Sequence, residues 1–156
     1  MKNKVNRLFL ILIVIINLTS CATKKAETPS SLDPIHIQNA TNFAKEQFES
    51  CMTGKFVPIT KEIATPRIVR SWNENEERET CEEINRRFGD LIEFKIAQTA
   101  IYKNTYIYRY KATYSKLDKP AEIRVYTTLD HKIDGYIIKE VWLDKYTKFK
   151  PSKTKH

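Results

Sequence analysis

The sequence predicts an α+β fold of helices followed by an antiparallel meander of about four strands. Up to Gly89, apolar residues recur at helical spacing, and beyond it they alternate with polar residues at the period of two that is typical of strands. Helices grouped before strands are typical of the α+β class. The chain has only three glycines, and each is predicted to lie where an element ends.

Three helices are predicted. The first covers residues 34–52, because Asp33 is a good N-cap, Pro34 suits the first helical position and Gly54 lies just past the end. A short second helix opens at Thr65. A third begins near Asn75, with glutamates in its first turns and arginines in its last, which suits the helix dipole. The inward-facing residues are Ile37, Ala40, Ala44, Phe48 and Cys51, then Ile68, Val69 and Trp72, then Cys81, Ile84 and Phe88.

Alternating apolar residues mark four strands, at about 92–96, 106–114, 123–129 and 136–143. The last strand is apolar on both faces, which predicts a central position or cover on both sides. The turns before the third and fourth strands are predicted at 115–120 and 129–135.

The chain begins with a segment that has the layout of a secretory signal, basic residues followed by a short apolar run. The basic residues are Lys2, Lys4 and Arg7, and the uncharged run spans 8–20. An uncleaved membrane anchor is the alternative, but spanning needs about 20 apolar residues. The run ends in Leu18-Thr19-Ser20-Cys21, which resembles the lipobox of bacterial lipoproteins.

This resemblance implies an exported protein, cleaved before Cys21 and held at the bacterial cell membrane by lipid on that cysteine. It also implies the outer membrane if the host has one, because Ala22 rather than Asp follows the cysteine. The chain then divides into a signal peptide at 1–20, a lipidated flexible tether at 21–33, a domain at 34–146 and a basic tail at 147–156.

The net charge of +8 comes from the two ends of the chain. The three basic residues of the signal segment and five lysines at 145–156 account for this positive charge. The rest of the chain has equal numbers of basic and acidic residues. This balance argues against a nucleic-acid partner. The lysine-rich end either meets an anionic bilayer or is an ordinary solvated terminus.

Cys51 and Cys81 remain as a pair once Cys21 is assigned to lipidation. Disulfides persist in exported proteins, and a bridge closing a loop of about 30 residues stabilises a fold by roughly 3.5 kcal/mol. Two separate buried thiols are the alternative. A metal site at these cysteines is disfavoured, because neither a histidine nor a further cysteine lies near them in sequence.

The domain resembles the cystatin-like, nuclear transport factor 2-like superfamily. The resemblance rests on Arg87-Phe88-Gly89, which leads from a short helix into a strand, and on the closing hairpin at 127–142 with Lys132-Ile133-Asp134-Gly135-Tyr136. It implies a cone, in which a long helix and two short ones pack into a strongly bent sheet, with a small extra strand at 55–59. Members include isomerases and dehydratases as well as non-catalytic binding domains, so the fold leaves the function open.

No convincing catalytic constellation, cofactor motif or metal-ligand spacing is present in the sequence. His36 falls in the first helical turn, His131 in a hairpin turn and His156 at the end, so none is predicted to be catalytic. Asp90 and Glu140 are predicted at the surface. The glutamates at 74–83 suggest a cation site, but a solvated helix face is favoured because a helix fans its carboxylates outward.

The candidate ligand-binding residues are Tyr106, Tyr108, Tyr110 and Trp142. The tyrosines share one face of the second strand, whereas Trp142 lies on the fourth. Tyrosine offers an apolar body with a hydroxyl that seeks a partner. The face therefore belongs to the core, to a small-molecule cavity or to a docking surface.

The sequence thus predicts a lipid-anchored, non-catalytic envelope module that binds an envelope protein or a small apolar ligand. An isomerase or dehydratase of the same fold is one alternative. An accessory or immunity-type lipoprotein that binds an envelope protein is the other.

Overall fold

The structure, a computed structural model, describes residues 32–148 and confirms the α+β class. Helices come first and an open antiparallel sheet of four strands follows. The helices are α1 (Pro34–Thr53), α2 (Pro66–Ser71) and α3 (Glu74–Arg87). The strands are β1 (Leu91–Tyr102), β2 (Thr105–Tyr114), β3 (Ala121–Thr127) and β4 (Ile133–Lys139). The predicted signal peptide, Cys21, most of the tether and residues 149–156 lie outside the described residues.

Helix α1 begins and ends as its sequence predicts. The Asp33 carboxylate accepts a hydrogen bond from the Ile35 amide at 2.9 Å, which satisfies one of the unpaired donors of the first turn. At the other end Gly54 adopts the left-handed conformation, with φ of 66°, and donates to the Ser50 carbonyl at 2.8 Å.

Helix α3 is capped by Asn73, whose side chain accepts from the amides of Asn75 and Glu76. Acidic residues in its first turn and arginines in its last complement the helix dipole, as predicted. A disulfide joins Cys51 near the end of α1 to Cys81 of α3, with the two Cα atoms 4.8 Å apart. This bond confirms the predicted pairing and holds the two helices together.

The four strands pair in sequence order, β1-β2-β3-β4, with every pair antiparallel. The pairing of β1 with β2 shifts register twice, at Leu91/Glu93 and at Ile96/Gln98. Such irregularities bend a strand and increase its twist. One sheet face, here called the inner face, packs under the helices. Its buried side chains are Tyr108, Tyr110, Ala112, Tyr114, Ala121, Ile123 and Val125.

The predicted extra strand at 55–59 is wrong, because this segment has no strand structure. The Val57 backbone pairs with helix side chains instead of with a neighbouring strand. The Val57 carbonyl accepts from Gln47 at 3.2 Å, and the Val57 amide donates to Glu77 at 3.4 Å.

Strand β4 begins and ends earlier than predicted, and it lies at the sheet edge, so a central position is wrong. Ile133 is buried and the other apolar residues of β4 are half-buried, with Tyr136 packed against Phe43 and Phe48 of α1. Gly135, predicted to end an element, lies inside β4 opposite Tyr126. The turn comes before Ile133, where the Thr128 amide donates to the Lys132 carbonyl.

Candidate functional site

The predicted tyrosine face lies mainly in the core. Tyr108 and Tyr110 are fully buried on the inner face, whereas Tyr106 is half-buried. The Tyr110 hydroxyl lies 3.3 Å from the Thr41 hydroxyl, and its ring stacks on Phe94 with the centroids 4.5 Å apart. Burial raises the pKa of Tyr110, so this hydroxyl stays protonated.

A pocket of about 470 Å³ opens at one end of the inner face, between α1 and the β3–β4 turn. Tyr108 and Thr127 lie buried beneath it, with 0% and 2% of their surface exposed. Its apolar walls are Ala40, Phe43, Ile63 and Ile133. The volume lies within the usual range of small-molecule sites, which combine apolar walls with a few polar groups.

Three polar atoms buried beneath the pocket make no hydrogen bond of good geometry. Among residues 32–148, six buried side-chain polar atoms lack a partner, and three of them belong to residues that line this pocket. They are the Tyr108 hydroxyl, the Thr127 hydroxyl and Nδ1 of His131. Burial raises the pKa of the Tyr108 hydroxyl and the Thr127 hydroxyl opposes this rise, so these two groups lie within reach of each other. None of the three atoms has accessible surface, so they are buried beneath the pocket and do not face it.

Two histidines close one side of the pocket. The rings of His36 and His131 lie parallel with their centroids 3.3 Å apart, and Tyr106 stacks on His131 with the centroids 5.1 Å apart. Burial and the neighbouring His36 lower the pKa of His131, with Asp130 and Asp33 opposing this effect. His131 is therefore neutral at pH 7, with one ring nitrogen free to accept a hydrogen bond.

Neither histidine was predicted to belong to a site, because one begins α1 and the other lies in a distant turn. His131 adopts a positive φ of 62°, which is uncommon outside glycine. Strained backbone of this kind often occurs at ligand sites. Only the tertiary fold brings the two rings together.

Trp142 does not join the tyrosines. It follows β4 instead of lying on it, and it packs on the opposite sheet face, here called the outer face, over Arg109. The chain at 140–148 crosses this face as an irregular segment, here called the strap. The four candidate ligand-binding residues thus divide between two faces of the sheet.

Under the strap lies a buried ionic cluster that was not predicted from the sequence. Arg109, Glu122 and Arg124 have no exposed surface. The Glu122 carboxylate accepts from Arg109 at 2.5 Å and from Arg124 at 2.6 Å. Alternation along β2 and β3 could have revealed it, because it places both arginines on the outer face.

The strap supplies further partners to the buried arginines. Arg109 donates to the Leu143 carbonyl at 2.5 Å, and Arg124 donates to the Thr147 carbonyl at 2.6 Å. The Tyr146 ring lies 4.8 Å from the Arg124 guanidinium. These contacts satisfy the donors within the protein, so the cluster is structural.

The remaining acidic candidates are at the surface or paired. Glu140 is exposed and lies 2.8 Å from Arg87, and Asp90 is exposed. The glutamates at 74–83 lie on α3, mostly exposed, with Glu77 buried against the Val57 amide. Within residues 32–148, no cluster of three or more His, Cys, Asp or Glu side chains has the geometry to hold a metal ion.

No helix within residues 32–148 is both long enough and apolar enough to cross a membrane. Comparisons of the chain with protein-family models, with curated proteins and with solved structures find no match.

Proposed function

We propose that this protein is an exported, lipid-anchored, non-catalytic binding module that holds a small ligand in the pocket beside His36 and His131. The observation that carries the binding role is the pocket of about 470 Å³, which combines apolar walls with the polar side chains of His36, Asn39 and His131. Small-molecule sites have this volume and this kind of lining.

Two features support export and anchoring. The N-terminal segment has the order of a lipoprotein signal, with Cys21 at the position that receives lipid. The Cys51–Cys81 disulfide suits an oxidising compartment outside the cytoplasm. A double acyl anchor on Cys21 would keep the domain at the membrane.

Native mass spectrometry of the full-length protein, purified in mild detergent from the envelope of its own host, tests both parts. We expect a stoichiometric adduct that leaves on denaturation, and a covalent lipid mass on a chain that begins at Cys21. A protein without an adduct contradicts the binding role, and a chain without lipid contradicts the anchor.

The matched control is the double variant His36→Ala with His131→Ala. It removes the two stacked rings that close one side of the pocket. We expect the adduct to disappear and the Cys21 lipid to remain. An adduct that survives in this variant would place the ligand elsewhere on the protein.

A proton-transfer enzyme of the isomerase type is a second candidate, favoured by the neutral His131 in the pocket. A neutral imidazole can accept a proton from a substrate, which is what a general base must do. Incubating the released ligand with the protein in D₂O tests this role. Deuterium incorporation that is lost in His131→Asn would establish catalysis, and the absence of exchange in the wild type would leave binding alone.

A further inference from the structure

The two edges of the sheet differ in what lies beside them. At the β4 edge the loop before α2 takes up backbone groups, because the Thr65 amide donates to the Ile133 carbonyl at 2.9 Å and the Ile133 amide donates to the Ile63 carbonyl at 2.8 Å. At the β1 edge, no backbone hydrogen bond from elsewhere in residues 32–148 reaches Leu91–Tyr102 besides those of the β2 ladder. A free edge of this kind presents N–H and C=O groups with which another strand can pair.

The first half of β1 carries both apolar and charged side chains on its surface. Ile92 and Ile96 are 66% and 37% exposed. Between them, Glu93 and Lys95 are 56% and 62% exposed, with the Lys95 ammonium 3.0 Å from the Glu93 carboxylate. The register shifts of β1 lie at the two ends of this segment, so residues 93–96 keep a regular pairing with β2 that a further strand can extend.

The order of the charges makes this segment complementary to itself. Two copies of a strand can pair antiparallel about a two-fold axis, in a contact that uses the same surface on both copies. With the axis at Phe94, Glu93 of each copy lies opposite Lys95 of the other. An axis at Glu93 or at Lys95 places two like charges opposite each other, which destabilises a sheet, whereas opposite charges in such pairs stabilise it.

The same register also covers the exposed apolar side chains. Ile92 of one copy lies opposite Ile96 of the other, and the two Phe94 residues lie opposite each other at the axis. Removing this apolar surface from water favours association. Charge pairing and apolar burial therefore select one register.

We infer that the partner of the β1 edge is a second copy of this chain, paired antiparallel about a two-fold axis at Phe94, so that the two sheets join into one continuous sheet. This inference goes beyond the proposed function and does not depend on the ligand pocket. A single strand pair is smaller than a standard protein interface, so the dimer is weak and its population depends on concentration.

Sedimentation equilibrium of the full-length protein in neutral detergent at low salt tests the dimer, at concentrations up to about 200 µM because interfaces of this size are weak. We expect a monomer–dimer equilibrium. The variants Glu93→Lys and Lys95→Glu should each weaken association at least about ten-fold, because both cross-strand charge pairs change from attraction to repulsion.

An equimolar mixture of these two variants should restore association, since the carboxylates of one variant lie opposite the ammonium groups of the other. The double variant with both changes should dimerise like the wild type. Lys45→Glu is the matched control, because Lys45 forms an exposed pair with Glu49 on α1, away from the β1 edge, and it should leave association unchanged.

Two results would overturn the inference: a wild type that stays monomeric throughout this range, or a dimer that both charge reversals leave intact. If a variant fails to fold, cross-linking of the wild type decides. A carbodiimide applied to mixed ¹⁵N-labelled and unlabelled protein should join Glu93 of one copy to Lys95 of the other, and the absence of an isotopically mixed product at these residues would also overturn it. A monomeric protein would leave the proposed ligand binding standing.

Discussion

The guanidinium of Arg109 lies 4.3 Å from the centre of the Trp142 ring, on the outer face of the sheet. The same arginine pairs with Glu122 and donates to the strap backbone. One buried cation therefore connects the strand carboxylate to the C-terminal strap. The strap completes the fold of this face, because it covers charges that would otherwise lie at the surface.

Replacing Trp142 with alanine should loosen the strap. The change removes the ring over Arg109 and also its contact with Lys111, 5.1 Å away. We expect a loss of roughly 1–3 kcal/mol in the free energy of unfolding, from the cation–π contact and lost packing. Urea unfolding measures it. Leu143→Ala, in the same segment but 42% exposed, should cost less than about 0.5 kcal/mol.

Acid should destabilise the protein through Glu122. Burial would raise the pKa of this carboxyl, but hydrogen bonds from Arg124 and Arg109 outweigh burial and lower it below its unfolded value of 4.5. Its ionised form therefore stabilises the fold fully above about pH 4.5, and this contribution is lost as the pH falls through the folded pKa.

Unfolding free energies measured across this pH range, for the wild type and Glu122→Gln, test that role. We expect the variant to lose about 3–5 kcal/mol near neutral pH, because it leaves two buried guanidiniums without a counterion. Its stability should also vary less with pH below 4.5. Glu83→Gln, which breaks an exposed pair with Arg86, should have a much smaller effect. Equal acid sensitivity in wild type and Glu122→Gln would refute this assignment.

Reducing the Cys51–Cys81 disulfide should destabilise the domain. The bond closes a loop with a sequence separation of 30, which corresponds to roughly 3.5 kcal/mol in the chain-entropy treatment. Urea unfolding with and without dithiothreitol measures the difference. The Cys51→Ser, Cys81→Ser variant should be insensitive to the reductant, and a wild type that is equally insensitive would contradict the prediction.

His131 should titrate below its ordinary pKa of 6.5, because burial and His36 disfavour the imidazolium. NMR of the imidazole carbons across pH 4–8 follows this titration. His36→Ala should move the His131 pKa upward, since it removes a neighbouring cation and admits water. Asn39→Ala, at an uncharged residue of the same pocket, should leave it nearly unchanged.

Alanine should be tolerated far better at Gly54 than at Gly89. Both glycines have positive φ, at 66° and 78°, so each variant is strained by on the order of 1 kcal/mol. At Gly54 the added methyl meets open space, whereas at Gly89 it collides with the Ser115 hydroxyl and approaches the Lys116 amide at 3.2 Å. Thermal unfolding of the two variants should separate them by several degrees, and equal shifts would contradict the steric argument.

Local patterns in the sequence predicted the elements well where short-range forces decide them. The Asp33 cap, the left-handed Gly54 and the alternation along β2 depend on neighbours within a few residues. The pattern did not locate β4, because residues 136–143 are apolar on both faces and give no clear strand boundary. The family resemblance predicted a strand at 55–59. Instead, the Val57 backbone of this segment forms hydrogen bonds with helix side chains.

The sequence by itself determined the α+β order, the Cys51–Cys81 pairing and the shared strand face of Tyr108 and Tyr110. Tertiary structure alone decided the candidate site. His36 stacks on His131, and Trp142 covers Arg109. Each contact joins residues from separate parts of the chain. Such contacts depend on how helices and strap pack on the sheet, and periodicity carries no information about that packing. The pocket beside the two histidines follows from the same packing, because its walls come from α1, the loop before α2 and the β3–β4 turn.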